Sequence, residues 1–281
     1  MGGTAEIIKS TYSDAWNLLK KSWRKLLIDI IKVQIVIFLL SLITGAFVVF
    51  GIDYFIGDAS NTYELLQNIP VWYYAIAIPT YIAVGLLSAI TASLMYNIVD
   101  NRAKGKKTNF TEQFSRNIIP VTIYSVLWWV FMIITLLPML GIIGGGMGAM
   151  ALMCVYPLAL LIIYLLLLFF LQFAYLEIIV ARKGVIQGLK DSLTIVKKNM
   201  FAVFIFDISY IVASIAVSIP FYAFYMLSGW IGQLASMAIG DVLIGGLASI
   251  VISSIGMAIM KTALMFVLLP LLYFFWKKIR E

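Results

Sequence analysis

Five charged side chains, Asp29, Lys32, Glu177, Asp207 and Lys261, fall inside long apolar runs of the 281-residue chain. A charge at mid-bilayer costs about 2.5–3.5 kcal/mol on insertion scales, so each of them needs a partner, water or a route to the surface. At about 1.5 Å per helical residue from the basic end of each run, Lys32 and Asp207 both lie roughly 10 Å deep, and Asp29 is shallower. The spacing predicts an interhelical Lys32–Asp207 ion pair with Asp29 behind Lys32 at i−3, a contact that serves helix register as readily as function. Glu177, near the end of its run, is expected to reach toward Arg182. Lys261 stands ~23 Å along a helix from Lys277, beyond the reach of its side chain to that surface. It must face the bundle interior, a polar cavity or the far boundary of the bilayer, with Gln34, Gln172, Asn97, Tyr175 and Tyr210 as the polar side chains available to it. A lysine held in apolar surroundings suits the headgroup of an anionic amphiphile or a transported anion.

Other chemistries lack their residues. There is no histidine, which removes the commonest general base and the usual zinc and haem ligand. The one cysteine, Cys154, allows neither an internal disulfide nor a thiolate metal cage. An intramembrane aspartyl protease is the remote alternative, since it needs two carboxylates sharing a proton. The segment Ala238-Ile239-Gly240-Asp241 lacks the first glycine of a Gly-x-Gly-Asp motif, and Asp241 is predicted at the face opposite Asp29 and Asp207. No Walker, dinucleotide-binding or nucleophile-elbow glycine pattern is present. The expectation is a protein that is not an enzyme and holds no cofactor or metal.

The elements that must position these charges are set by composition. At 63% hydrophobic and 12% charged, the chain is far more apolar than a soluble domain, in which about 45–50% apolar and about 25% charged is usual. The net charge of +7 does not point to nucleic acid, because every Lys and Arg except Lys32 and Lys261 lies in one of four patches flanking apolar runs. These are Lys9 to Lys25, Arg102 to Arg116, Arg182 to Lys198 and Lys277 to Arg280. The intervening segments at the other ends carry Asp53, Asp58, Glu64 and Asp241 and no basic residue. This positive-inside pattern predicts a plasma-membrane protein with both termini cytoplasmic. Lys20, Lys21, Lys106, Lys107, Lys197 and Lys198 are then the expected contacts for anionic headgroups of the cytoplasmic leaflet. The residues before Thr4 resemble a leader remnant, and no cleavable signal peptide is expected.

Six apolar runs are long enough to cross a hydrocarbon core, which takes about 20 residues. The predicted fold is an all-α membrane protein, a single domain over 1–281, with spans at 26–51, 71–99, 117–140, 149–180, 199–227 and 243–276. Pro120 is expected in the first turn of the third span, where proline is tolerated. The stretch Gly141 to Gly148 should form a tight outer turn, and 232–241 a short outer connection. Amphipathic segments at 4–25, 109–116 and 184–198 are expected to lie on the cytoplasmic surface. The second of these should begin at an Asn109–Glu112 capping box. In the third, Val185, Leu189, Leu193 and Val196 form one apolar stripe; in the first, Ile8, Tyr12, Trp16 and Leu19 do so. A shift of 177 residues aligns these two stripes, Asp14 with Asp191, and Lys20-Lys21 with Lys197-Lys198. The expectation is three hairpin pseudo-repeats, each entered through a surface helix, with the middle copy most diverged.

In the segment LEIIVARKGVIQGLKDSLTIVKKNMFAVFIF, a span ends, a short basic link follows, and a surface helix ending Lys-Lys-Asn leads into the next span. This cadence resembles the membrane domain attached to some glycerophosphodiester phosphodiesterases and its stand-alone archaeal and bacterial relatives. The resemblance implies six spans with surface helices and covers most of the chain. It implies no phosphodiesterase activity, because that family's hydrolytic domain is soluble and has no counterpart in this sequence. Two functions are expected: binding or transport of a lipid-like or anionic small molecule, with Lys261, Asp207, Lys32, Asp29 and Glu177 as the polar candidates, or a membrane scaffold acting through its basic collar. The partners expected are membrane lipids, with self-association or a protein partner in the scaffold case.

Overall fold

The computed structural model describes residues 2–56, 71–143, 147–239 and 242–281, and among these no strand occurs. The helices are α1 (Gly2–Ile56), α2 (Val71–Ala103), α3 (Phe110–Ile143), α4 (Met147–Leu171), α5 (Val185–Lys198), α6 (Met200–Ile239) and α7 (Val242–Arg280), with a π-helical turn at Leu176–Val180 between α4 and α5. Six of them, all but α5, are long and apolar enough to cross a membrane. In α4 only 11% of the most apolar window is buried within the protein, so lipid must cover the rest.

Helix boundaries depart from the sequence reading where nothing breaks the chain. Between Thr4 and Thr44 there is neither glycine nor proline, and 4–25 is not a separate surface element: α1 runs on without interruption to Ile56. The predicted helix 109–116 likewise merges into α3. It does start at the expected cap, the Glu112 N–H donating to Asn109 Oδ1 at 3.4 Å and Arg116 pairing with Glu112 at 2.6 Å. Pro120 therefore lies well inside α3, not in its first turn. Only 184–198 is a helix in its own right, because the chain before it leaves helical geometry: Arg182 is left-handed (φ 59°) and Gly184 is extended (φ −60°, ψ 153°). Asn199 ends α5 outside the helical region, and its amide donates to Ile195 O and Ile279 O.

The fifth span was expected to stop near Ser228-Gly229, yet α6 continues to Ile239. These small residues make a seam instead of a turn. A Cβ on Gly232 would sit 3.0 Å from Ser249 O of α7, and one on Gly256 would strike the Ser228 side chain. Small residues allow such close approach, which is the main source of attraction between helices in lipid. Of the expected connections, 232–239 is helical as the end of α6, and 141–143 and 147–148 belong to α3 and α4; 144–146 and 240–241 lie outside the described residues, as do Asp58, Glu64 and Asp241.

The face that each amphipathic segment packs against protein lies beside its apolar stripe. In α5 the buried positions are Val185, Gly188, Ser192 and Val196, while Leu193 stays exposed. Gly188 lies so close to Ile178 that a Cβ would come within 2.5 Å of its Cγ1, and Ser192 Oγ donates to Phe170 O at 3.0 Å. In α1, Thr11, Ala15 and Leu18 are buried and Trp16 is exposed. Small side chains give the tighter protein contact, which leaves the large apolar ones for lipid.

The densest packing lies at one end. Leu26 and Ile30 of α1, Ile98 of α2, Phe206 of α6 and Phe275 of α7 belong to one buried cluster, with the Phe206 and Phe275 rings stacked at 3.8 Å. Asp14 of α1 pairs with Lys278 of α7 at 2.6 Å, Asn199 at the head of α6 reaches Ile279 O, and Asp29 of α1 binds Arg102 of α2. These contacts gather both ends of the described chain and its basic patches at the same end of the bundle.

Candidate functional site

That end is held by three polar clusters, each built on buried groups of the bundle. In the first, Arg102 at the end of α2 donates to Asp29, with Nε at 2.9 Å from Oδ2, and Tyr273 OH donates to Asp100 at 2.8 Å. In the second, Glu177 in the π-helical turn is wholly buried, accepts from Trp276 Nε1 at 2.9 Å, and pairs with Lys183 at 3.0 Å and Arg280 at 3.2 Å. Lys183 also binds Asp191 of α5, which accepts from Gln187 Nε2 at 2.7 Å. The bond to Asp191, then Glu177, raises the Lys183 pKa; the bond to Lys183, then Gln187, lowers that of Asp191. In the third, Arg182 donates to Asn117 at 3.1 Å, to Asn97 at 3.4 Å and to Gln113, and Asn117 donates to Ser93 at 2.7 Å. Burial, then the nearby Arg116 charge, lowers the Arg182 pKa. These bonds to α2 and α3 hold its left-handed backbone, a conformation that costs of order 1–3 kcal/mol and persists only when the surroundings over-determine it.

The predicted Lys32–Asp207 pair does not form. Lys32 lies over the Phe110 ring, 5.7 Å from its centroid, and Asp207 accepts from Gln172 at 3.2 Å. Asp29 pairs with Arg102 and does not back Lys32. Glu177 turns to Lys183 and Arg280, not to Arg182. Equal depth put Lys32 and Asp207 at one level, but helix rotation points them at different neighbours. Arg102, Trp276 and Arg280 were missed as partners. For Arg102 a signal existed, since the hairpin that joins α1 to α2 sets the end of one beside the start of the other.

Lys261 is an exposed residue of α7, and among the described residues it has no ion-pair or hydrogen-bond partner. It does not face the packed interior. It lines a small recess of about 40 Å³ with Gln34 and Ser41 of α1 and Ser254 of α7. Of the five polar side chains expected around it, only Gln34 lines this recess. The other recess residues on α7, Ser254, Met257 and Ala258, precede Lys261, in keeping with the lean of helical side chains toward the N-terminus.

Gln34, Phe38 and Ala258 also line an adjoining apolar cavity of about 640 Å³, walled by α1 and α6 and floored by α7. Through Trp23 and Phe266 this cavity adjoins another of about 720 Å³, which reaches Tyr12, Trp16 and Lys20. The two cavities are apolar and follow one side of α1, with Lys20 the charged residue among those lining them. The Lys261 recess lies on the other flank of the α1–α7 contact, since Ile37, Ser41, Ser254 and Met257 point away from Ile31, Ile35, Ile255 and Ile259, and Gln34, Phe38 and Ala258 stand between the two. Ser41, Ser254, Trp16 and Trp23 were not among the expected site residues; a serine two turns from a buried glutamine carries little signal until the facing helix is known. The six collar lysines, Lys20, Lys21, Lys106, Lys107, Lys197 and Lys198, are all exposed.

Six long apolar helices define a multi-pass α-helical membrane protein. The chain belongs to the DUF7847 family, a domain of unknown function, whose pattern matches residues 110–268, from the start of α3 into α7. Nothing in that match connects it with the membrane domain of glycerophosphodiester phosphodiesterases. No curated protein and no solved structure matches the chain. The wall contributed by α1 lies outside the matched residues.

Proposed function

We propose that this protein is a non-enzymatic membrane module that binds, and in the course of transport carries, a lipid-like molecule with an anionic head. The observation that carries this reading is an exposed, unpartnered Lys261 beside Gln34, Ser41 and Ser254 in a recess between two apolar helices, α1 and α7. An anionic oxygen would supply the partner that Lys261 lacks, with Gln34 and Ser254 donating to its remaining lone pairs, and the hydrocarbon chain would lie along exposed apolar side chains beside the recess such as Met257. In this reading Asp29, Lys32, Glu177 and Asp207 build the bundle and do not touch the ligand.

The membrane is the plasma membrane and the basic end is cytoplasmic, on the positive-inside bias. Three observations support the pseudo-repeat, each at the 177-residue shift. Thr11 and Ala15 of α1 are buried as Gly188 and Ser192 of α5 are, and Asp14 and Asp191 each bind a lysine. A relation to the phosphodiesterase-type membrane domain stays part of this proposal.

Mass spectrometry of lipid co-purified with the full chain tests the reading. The wild type should carry anionic lipid, and Lys261→Leu should lose it without a change in thermal midpoint. Equal lipid content in the two proteins would overturn it. A scaffold that acts through the collar is the second reading, favoured by the exposure of all six lysines at the packed end. Under it, substituting Lys20, Lys21, Lys197 and Lys198 together, and not Lys261, would abolish binding of the purified chain to anionic vesicles.

A further inference from the structure

The two apolar cavities beside α1 together span one leaflet. With Lys32 roughly 10 Å into the hydrocarbon and about 1.5 Å per residue, Lys20 stands about 8 Å outside its boundary, Trp23 about 3 Å outside and Ile35 about 15 Å inside. The upper cavity, about 720 Å³, therefore begins at the headgroup layer, and the lower one, about 640 Å³, ends near the mid-plane of a ~30 Å core. Both have the size of small-molecule sites, about 300–1,000 Å³. α1 forms one wall, α6 the other through Ala213 and Phe221, and Phe266 of α7 lies on the floor of both. Tyr12 OH donates to Ser209 O at 3.2 Å and ties α1 to α6 at the upper cavity. Exposed Trp16 and Trp23 line it as well, amphipathic rings of the kind that settle at the membrane–water boundary.

Charge stands at the headgroup end only. Lys20 is exposed, lies over the Trp16 ring at 5.4 Å from its centroid, and has no carboxylate partner among the described residues. The neighbouring acids of α1 are taken, Asp14 by Lys278 and Asp29 by Arg102. No Asp or Glu lines either cavity, and the other five collar lysines line neither. We infer that the two cavities hold one anionic phospholipid of the cytoplasmic leaflet, its phosphate at Lys20 and an acyl chain lying between α1 and α6 against α7. Ser13 and Trp16, also on the upper cavity, offer an O–H and an N–H to the remaining phosphate oxygens. The chain fills the gap that the two walls leave between them, and its methyl end reaches mid-bilayer at Ile35. Diffuse attraction of anionic lipid to a basic collar would favour no single lysine. This site is on the opposite flank of the α1–α7 contact from the Lys261 recess and does not rest on the reading given to that recess.

Native mass spectrometry of the delipidated full chain in detergent, titrated with phosphatidylglycerol and with phosphatidylcholine of the same acyl chains, tests this. The titration is run on Lys261→Leu, so that a lipid at the recess is not counted, and further variants are made in that chain. One phosphatidylglycerol should bind, at least tenfold tighter than phosphatidylcholine. Lys20→Gln should bring it down to the phosphatidylcholine value, Lys21→Gln at the next exposed position should not, and Ala213→Phe, which fills the upper cavity, should weaken both lipids. The two lysine variants lie on the surface and decide the site even if the ring at 213 is not tolerated. Equal affinity for the two lipids, equal losses in Lys20→Gln and Lys21→Gln, or unchanged affinity in a folded Ala213→Phe would overturn the site and leave the Lys261 reading standing. Loss of all lipid from Lys261→Leu itself would overturn it in favour of the recess.

Discussion

Glu177 provides the sharpest energetic test, because its neighbours differ in their access to water. Its carboxylate is wholly buried, whereas the side chains of Lys183 and Arg280 keep 32% and 38% of their exposure. Removing the anion frees both cations to turn outward, and the main loss is the Trp276 N–H, whose residue is 2% exposed and would be left without an acceptor. Glu177→Ala should therefore cost about 1–3 kcal/mol for that donor, plus the gap left behind. Glu177→Gln keeps an acceptor and should cost less. Removing the cations is worse. Lys183→Met with Arg280→Met strands a carboxylate in the core, for which about 3–5 kcal/mol is expected. Adding Glu177→Gln to that double variant should restore most of the loss, since a neutral amide has no comparable desolvation penalty. Reversible unfolding of the four proteins in one detergent measures this. If the triple variant is as unstable as the double one, the buried charge is not what the cations compensate, and the reasoning fails.

A double-mutant cycle on Asp29 and Arg102 should give a coupling within the 0.5–3 kcal/mol range of contacting residues, about 1 kcal/mol or more here, while the same cycle on Lys32 and Asp207 should give less than about 0.5 kcal/mol; comparable couplings would mean that the pairs are misassigned. Gly232→Ala sets a Cβ 3.0 Å from the Ser249 backbone, which can yield only by parting α6 from α7, so a loss of about 1–3 kcal/mol in unfolding is expected, and a neutral effect would refute the tight seam. The Asp191 pKa lies below its ordinary 3.8 because Lys183 and then Gln187 bond the charged form. Its contribution to holding α5 is thus complete above that ordinary value and is lost as pH falls through the lowered one. Hydrogen exchange across 185–198 should quicken only in that acid window, and Asp191→Asn should show the faster exchange at neutral pH with no acid step; a step at neutral pH in the wild type would contradict this.

Depth and end were legible in the residues themselves. Apolar run length gave six long helices, and the confinement of lysine and arginine to alternate links gave a bundle with its basic patches at one end, because hydrophobicity and charge act on every residue regardless of neighbours. The Asn109 cap and the break before Val185 were equally local. Angular position was not legible. Lys32 and Asp207 share a depth, but which side chain meets which depends on helix rotation and tilt, and these are set by distant small residues such as Gly188, Gly232 and Gly256 at the contacts. The same holds for the Lys261 recess. Its residues look like any lipid-facing stretch until α1 and α7 are brought side by side, and only then do Gln34 and Ser41 stand beside Lys261.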